Sequence, residues 1–295
     1  MSRFRAALSI VTLRSPFWDR SRKHRFGRLM LHLTIIYVVM LVVLLFLENK
    51  FLFPASTADD SWESPPTDTI VQDVSLTSSH DTTIHAWWMK PRGWEPGQGA
   101  LLYCHGNGGN VSHRGALGQF CVEHKHAILM LDYPGYGKSG GKASEAGCYA
   151  AADAAYDWLL NEQKIPAPRV ILYGGSLGGA VAVDVASRRP HRALVLVSTF
   201  TNFPDMAQKQ FPIFPTRWLV RNRFSSLAKI ERVHRPVFIA HGDADEIIPF
   251  AMGQRLYEAA NEPKEFFTMR GIPHVDGCSP DAFAALEQFL KKHAP

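Results

Sequence analysis

Cysteine is scarce in this chain. Its 295 residues include four, Cys104, Cys121, Cys148 and Cys278, and no two stand in Cys-x-x-Cys spacing. A zinc ribbon and a dithiol redox motif therefore have no support, and four thiols in a chain this long make no disulfide scaffold. One or two bridges stay open. There is no HExxH motif, and His124-Lys125-His126 near Cys121 read as solvated helix-end histidines, so no metal is expected. Charged residues amount to only 20%, against 46% hydrophobic, which excludes global disorder.

A net positive charge is absent from most of the chain as well. The net charge is +5, from 32 basic and 27 acidic residues. Eight of the basic residues and one acid fall within residues 1–28, which leaves +7 there, and 24 basic against 26 acidic residues, or −2, in the rest. The main domain has no electrostatic footprint for nucleic acid, and no nucleic-acid partner is expected.

The one long apolar run is Leu29 to Leu47, 19 residues with no formal charge and a single histidine, His32. At 1.5 Å per residue it spans roughly 28 Å, the depth of a bilayer core. A core helix seldom stays apolar on every face for that length, and a cleaved signal peptide has a shorter apolar region. The reading is a transmembrane signal anchor at 29–47 behind a basic cytoplasmic leader at 1–28. Arg and Lys stay on the cytoplasmic side, so the main domain is expected outside the cytoplasm, in the periplasm, a lumen or the exterior. Residues 48–69 are rich in Pro, Ser, Thr and Asp and read as a tether, with Phe51, Leu52, Phe53 and Trp62 either near the interface or packed onto the domain.

From residue 70 the pattern alternates. Strands are expected at Ile70–Thr77, Thr83–Lys90, Ala100–Cys104, Ala127–Leu131, Val170–Tyr173, Ala193–Val197, Val237–Ala240 and 265–269. Helices are expected within 111–124 and at 145–163, Leu177–Ser187, 251–260 and Ala282–Lys291. Short apolar strands interleaved with helices imply an α/β fold, a mostly parallel sheet covered on both faces. Residues 199–233 break the rhythm with FPIFPTRWLVRNRF, including Phe211, Phe214 and Trp218. They read either as a small cap over a ligand crevice or as plain connecting helices.

Chemistry concentrates in the loops. Gly174-Gly175-Ser176-Leu177-Gly178 matches G-x-S-x-G, directly after the apolar VILY and before the small-residue helix LGGAVAVDVAS. That strand–turn–helix setting exposes a serine hydroxyl on a sharp turn, and Gly174 and Gly178 leave it room. A serine needs a base. His274, in RGIPHVDG after the last expected strand, stands where a loop can reach it. An acid must hold the imidazole. HGDADEIIP offers Asp243, Asp245 and Glu246, with Asp245 preferred, and Asp276 is the other rival. An oxyanion needs two donors. The backbone N–H of Leu177 is one, and that of Asn107, in the glycine-rich His105–Asn110 loop, is the other.

Two further motifs fail. Gly135, Gly137 and Gly140 fit G-x-G-x-x-G after a strand, but GKASEAG delays the helix a dinucleotide site needs. Gly137-Lys138-Ser139 ends like a P-loop, yet Asp132 stands where its first glycine belongs.

The set HGNGGN, DYPGYGKSGG, YGGSLGG, HGDADEIIP and GIPH, in this order, resembles the α/β-hydrolase superfamily over about residues 70–293. More narrowly it resembles the membrane-anchored α/β-hydrolase-domain serine hydrolases, related to serine aminopeptidases and protein depalmitoylases. The resemblance implies an α/β-hydrolase fold with a small cap at 199–233, a catalytic domain over 70–295, no cofactor, and a triad in the chain order Ser176, Asp245, His274. The family's HGxxDxxxP pattern puts its acid at Asp245. His80-Asp81-Thr82 departs from the acidic-Gly turn of relatives, in an outer hairpin only. The function implied is hydrolysis of an ester or thioester, with a small-molecule or lipid-like acyl substrate. The alternatives are a serine peptidase of the same fold and a non-catalytic membrane-bound binding module; an NAD-dependent enzyme is a more distant third.

Overall fold

Five- and six-residue runs of Ala, Val, Ile and Leu suit strands buried on both faces, and they build the centre of the domain. The structure is a computed structural model that describes residues 16–294, with side chains from residue 23 onward; Arg3, Arg5 and Arg14 of the basic leader lie outside the described residues.

The strands are β1 (Val71–Thr77), β2 (Thr83–Met89), β3 (Ala100–Cys104), β4 (Ala127–Leu131), β5 (Val170–Gly175), β6 (Ala193–Val197), β7 (Val237–Gly242) and β8 (Lys264–Met269). They form one sheet in the order β1-β2-β4-β3-β5-β6-β7-β8. β1 and β2 pair antiparallel, β2 pairs antiparallel with β4, and every other pairing is parallel. The hairpin and all six later strands lie where the apolar runs place them.

The helices are α1 (Pro16–Leu52), α2 (Gly115–Glu123), α3 (Glu145–Asn161), α4 (Leu177–Ala186), α5 (Phe203–Gln210), α6 (Thr216–Leu219), α7 (Ser226–Ile230), α8 (Phe250–Ala259) and α9 (Pro280–His293). Side chains of α3, α4, α7 and α8 fill the apolar layer on one face of the sheet. Those of α2 and α9 fill the layer on the other, with Phe283, Leu286 and Phe289 against Tyr103, Val195 and Phe238. Burying such side chains supplies roughly 1.5–3 kcal/mol each before entropy is counted.

The chain divides into two units, residues 1–47 and 48–295. Lys23–Leu52 of α1, most of it in the first unit, holds an 18-residue window of mean hydropathy 2.8 with none of it buried, long and apolar enough to cross a membrane. A helix apolar on all sides and exposed has no core to face.

The stretch read as a tether is fastened to the second unit. The Glu48 carboxylate is buried and accepts from the N–H of Arg221 (3.0 Å) and of Asn222 (2.8 Å) and from the Asn222 amide (2.7 Å). Leu52 and Phe53 join the core, and Trp62 packs edge-on against Trp87 at 5.4 Å. Phe51 remains exposed. Residues 199–233 carry three short helices, α5 to α7, between β6 and β7. Phe214 is buried there and Trp218 is exposed.

Candidate active site

The chain runs into β3 at the middle of the sheet, goes to one side for β4, then returns to the other side for β5. Such a reversal opens a crevice at the carboxyl ends of the two strands. The register aligns those ends: Cys104 pairs with Gly174, Gly175 with Val197, and Gly242 with Met269. The loops after β3, β5, β7 and β8 therefore leave one edge together, carrying Asn107, Ser176, Asp245 and His274.

Ser176 occupies the sharp turn between β5 and α4 with φ 52° and ψ −121°. A non-glycine residue in that region stores strain of order 1–3 kcal/mol, and the surroundings must hold it. They do so at its own backbone, where Ser176 N–H donates to Val197 O (2.9 Å) and Thr199 Oγ1 donates to Ser176 O (2.7 Å). The flanking glycines are required by close approach. A Cβ on Gly174 would meet Gly178 O at 2.2 Å, and one on Gly178 would meet Cys104 O at 1.9 Å.

The predicted partners meet at this turn. Ser176 Oγ lies 3.0 Å from His274 Nε2, and His274 Nδ1 lies 2.8 Å from Asp245 Oδ2. An ionised carboxylate only accepts, so Nδ1 carries the proton and Nε2 presents its lone pair to the hydroxyl. The Asp245 side chain is fully buried, and that of His274 is 18% exposed. Asp245 Oδ1 accepts from the N–H groups of Ile247 (2.9 Å) and Ile248 (2.8 Å), and its Oδ2 also lies 3.3 Å from His241 Nε2. Burial alone would push the Asp245 carboxyl up. The bonds from His241, His274 and Ile248 outweigh it and hold the group well below the usual carboxylate range.

The rivals for the acid have other partners. Asp243 accepts from Gly271 N–H (2.6 Å), as a turn residue would. Asp276 pairs with Arg114 at 2.6 Å.

The β3 loop presents its main chain to Ser176. His105 is buried; its Nδ1 donates to Gly106 O (2.5 Å), and its ring packs on Tyr133 at 4.5 Å. Burial pushes its imidazole toward the neutral form. Asn107 O accepts from Tyr136 Oη (2.9 Å), and the Asn107 side-chain amide donates to Leu52 O (3.1 Å). Leu177 opens α4, so its N–H has no carbonyl one turn back to bond to. The glycines of G-x-G-x-x-G form a turn, with Gly137 N–H donating to Ser56 O (2.9 Å), and the helix that follows them starts only at Glu145. The four cysteines are free thiols, with Cys104, Cys121 and Cys148 buried.

Sequence reasoning did not find Arg114, Tyr103 or Thr199 as supports of the site. Asp276 was visible only as a rival acid.

A family model described as the alpha/beta hydrolase fold matches residues 99–220, from β3 through the Ser176 turn into the 199–233 segment. An uncharacterized protein of Mycobacterium tuberculosis is 35% identical over 205 residues, covering 70% of this chain and 73% of that protein. The alpha/beta hydrolase domain-containing protein WAV2 of Arabidopsis thaliana is 30% identical over 250 residues, covering 77% of this chain and 80% of that one. Among solved structures, a Pyrococcus furiosus esterase superposes with a TM-score of 0.64 at 20% identity, over 80% of this chain and 99% of its own. An acetyl xylan esterase from Paenibacillus gives 0.63 at 19%, over 79% and 87%. At such identities these structures speak to the fold, while the sequence relatives carry the kinship: the chain belongs to the α/β-hydrolase family.

Proposed function

We propose that this chain is a membrane-anchored serine hydrolase that cleaves an ester or thioester through an acyl-enzyme on Ser176. The observation that carries the reading is one imidazole, His274, bonded to a strained serine hydroxyl on one side and to a buried carboxylate on the other.

The chemistry follows from those bonds. His274 Nε2 takes the hydroxyl proton as Ser176 Oγ attacks the acyl carbonyl, and the carboxylate of Asp245 stabilises the imidazolium. The carbonyl oxygen becomes an oxyanion, received by the N–H groups of Leu177 and Asn107; losing one such donor costs about 3–4 kcal/mol of barrier. His274 then gives its proton to the departing alcohol or thiol. Water, deprotonated by the same imidazole, attacks the acyl-enzyme and releases the acid and free Ser176.

The apolar run Leu29–Leu47 is the proposed anchor, with the basic leader cytoplasmic and the catalytic unit on the other side. An anchored enzyme meets membrane-borne acyl chains at high local concentration, which favours lipid-like acyl substrates. The esterases among the fold's solved relatives agree with the reaction class.

A fluorophosphonate probe tests the reading. The expected result is covalent labelling of the wild type and none of Ser176→Ala, with hydrolysis of p-nitrophenyl esters showing an optimum in acyl length. Absence of labelling on folded wild type would overturn it and leave a non-catalytic binding module.

A further inference from the structure

Asp276 lies two residues beyond His274 on the same loop, yet its carboxylate is taken up by other groups. Its Oδ2 accepts from Gly106 N–H (3.2 Å), from Arg114 Nε (2.8 Å) and from Arg114 Nη2 (2.6 Å). The same Nη2 donates to Gly108 O (3.0 Å). The Asp276 carbonyl accepts from Tyr103 Oη (2.9 Å) at the end of β3. This residue sits directly over the nucleophile turn: a Cβ on Gly175 would meet Asp276 O at 2.0 Å. A Cβ on Gly106 would stand 3.0 Å from the Asp276 carboxylate and 3.3 Å from Ser176 Cβ.

These contacts decide which amides remain for the substrate. Gly106 has its N–H on Asp276 and its carbonyl on His105, Asn107 has its carbonyl on Tyr136, and Gly108 has its carbonyl on Arg114. The Asn107 N–H lies between fixed neighbours. A loop containing Gly106, Gly108 and Gly109 has no stiffness of its own. Charge-assisted bonds to a carboxylate are about twice as strong as neutral ones. The Asp276 and Arg114 side chains are only 21% and 19% exposed, so the pair is largely shielded from water, and removing either partner strands the other's charge.

We propose that Asp276 and Arg114 are positioning residues for the oxyanion site: together they clamp the His105–Asn110 loop to the His274 loop and set the Asn107 N–H opposite Ser176. The inference rests on the serine-hydrolase reading above. It assigns two carboxylates on neighbouring loops to separate tasks, Asp245 to the imidazole and Asp276 to the oxyanion donor.

The test is steady-state hydrolysis of a p-nitrophenyl ester by the full chain in detergent, with thermal unfolding measured alongside. In Asp276→Ala, kcat is expected to fall about 10- to 100-fold, the effect of an ångström of misplacement or a weakened donor. KM should stay within about twofold and the pH midpoint of kcat/KM should not move, since a positioning role at the oxyanion leaves His274 untouched. Affinity for a trifluoromethyl ketone, which forms an oxyanion adduct on Ser176, should weaken in step with kcat. Asp276→Asn keeps an acceptor for Gly106 N–H and should recover most of the rate. Arg114→Ala should cost a similar factor, and the double variant no more than either alone. If Asp276→Ala does not fold, Asp276→Asn and Arg114→Gln carry the same comparison. An unchanged kcat, a change confined to KM, or a shifted pH midpoint would overturn the inference. Failure of wild type to react with a fluorophosphonate sinks the hydrolase reading itself, whereas a reactive wild type with an indifferent Asp276→Ala sinks only the clamp.

Discussion

Replacing Asp245 with Asn isolates the part played by its charge. The amide has one acceptor and one donor end, and the structure dictates how they sit. Two N–H groups, of Ile247 and Ile248, point at Oδ1 from 2.9 and 2.8 Å. The amide oxygen must stay there, since turning it would set an NH2 group against both N–H donors, and that of buried Ile248 has no water to turn to, at about 1–3 kcal/mol. The NH2 then occupies the Oδ2 position, 2.8 Å from His274 Nδ1. A donor facing Nδ1 forces the imidazole to carry its proton on Nε2, against the Ser176 hydroxyl, where it can no longer accept one. The same substitution in the general serine triad costs about 10⁴-fold in kcat, which is about 5.5 kcal/mol of barrier. We expect Asp245→Asn to lose activity by that order at neutral pH with KM nearly unchanged, read by ester hydrolysis. The Asp245 carboxyl is held below its ordinary value, so its charge stabilises the fold above the unfolded pKa of about 3.9. That contribution disappears as pH falls through the lower folded value. Denaturant titrations of wild type and Asp245→Asn should therefore differ most at neutral pH and converge below about pH 4. If Asp245→Asn keeps a tenth of the activity while Asp276→Asn abolishes it, the acid is Asp276 and the tautomer argument fails.

Three other substitutions probe the scaffold. Gly178→Ala places a methyl 1.9 Å from Cys104 O, backbone against backbone, and should lower the thermal midpoint by the several degrees that about 1–3 kcal/mol of overpacking implies; Gly97→Ala, with nothing within 4 Å of its Cβ, should stay within about 0.5 kcal/mol of wild type. Glu48→Ala strips the acceptor from Arg221 N–H and Asn222 N–H, and should cost about 1–3 kcal/mol. It should also open residues 53–62 to limited proteolysis, and equal protease resistance in the two proteins would contradict the docking of that segment.

The strands were legible because each buried run, ALLYC, AILML, VILYGG or ALVLV, has no polar residue to compromise and ends where a loop begins. The Ser176 turn was legible for the same reason: it follows such a run, with glycines at the two positions where the turn has no room. Asp245 was harder, since Asp243 and Asp276 are carboxylates too and lie close to it or to His274 in the sequence. What separates them is direction. Asp245 caps its own turn through Ile247 and Ile248 N–H, which aims its second oxygen at His274. Asp276 is aimed by Arg114, which is 162 residues away in the chain. A single sequence carries local turn chemistry but no trace of which distant residue a loop carboxylate will meet.

The same blindness explains residues 48–62. Their Pro, Ser and Thr content reads as a linker because composition reports the lack of a periodic apolar face, and says nothing of partners elsewhere. The partners are backbone and amide groups: Asn107 reaches Leu52 O, and Asn110 reaches Ser56 O (3.2 Å) and Ser61 O (2.8 Å). Ala55 bridges to Gly109 and Thr57 to Gly137. The segment thus bonds to the glycine-rich β3 loop, which Asp276 and Arg114 also hold through Gly106 N–H and Gly108 O. A loop that must keep one N–H fixed to a fraction of an ångström, yet needs glycine to bring its main chain close to the nucleophile, is flexible by composition. Bracing by both sets of contacts resolves that conflict, and it places the chain just beyond the apolar helix among the supports of the proposed oxyanion site.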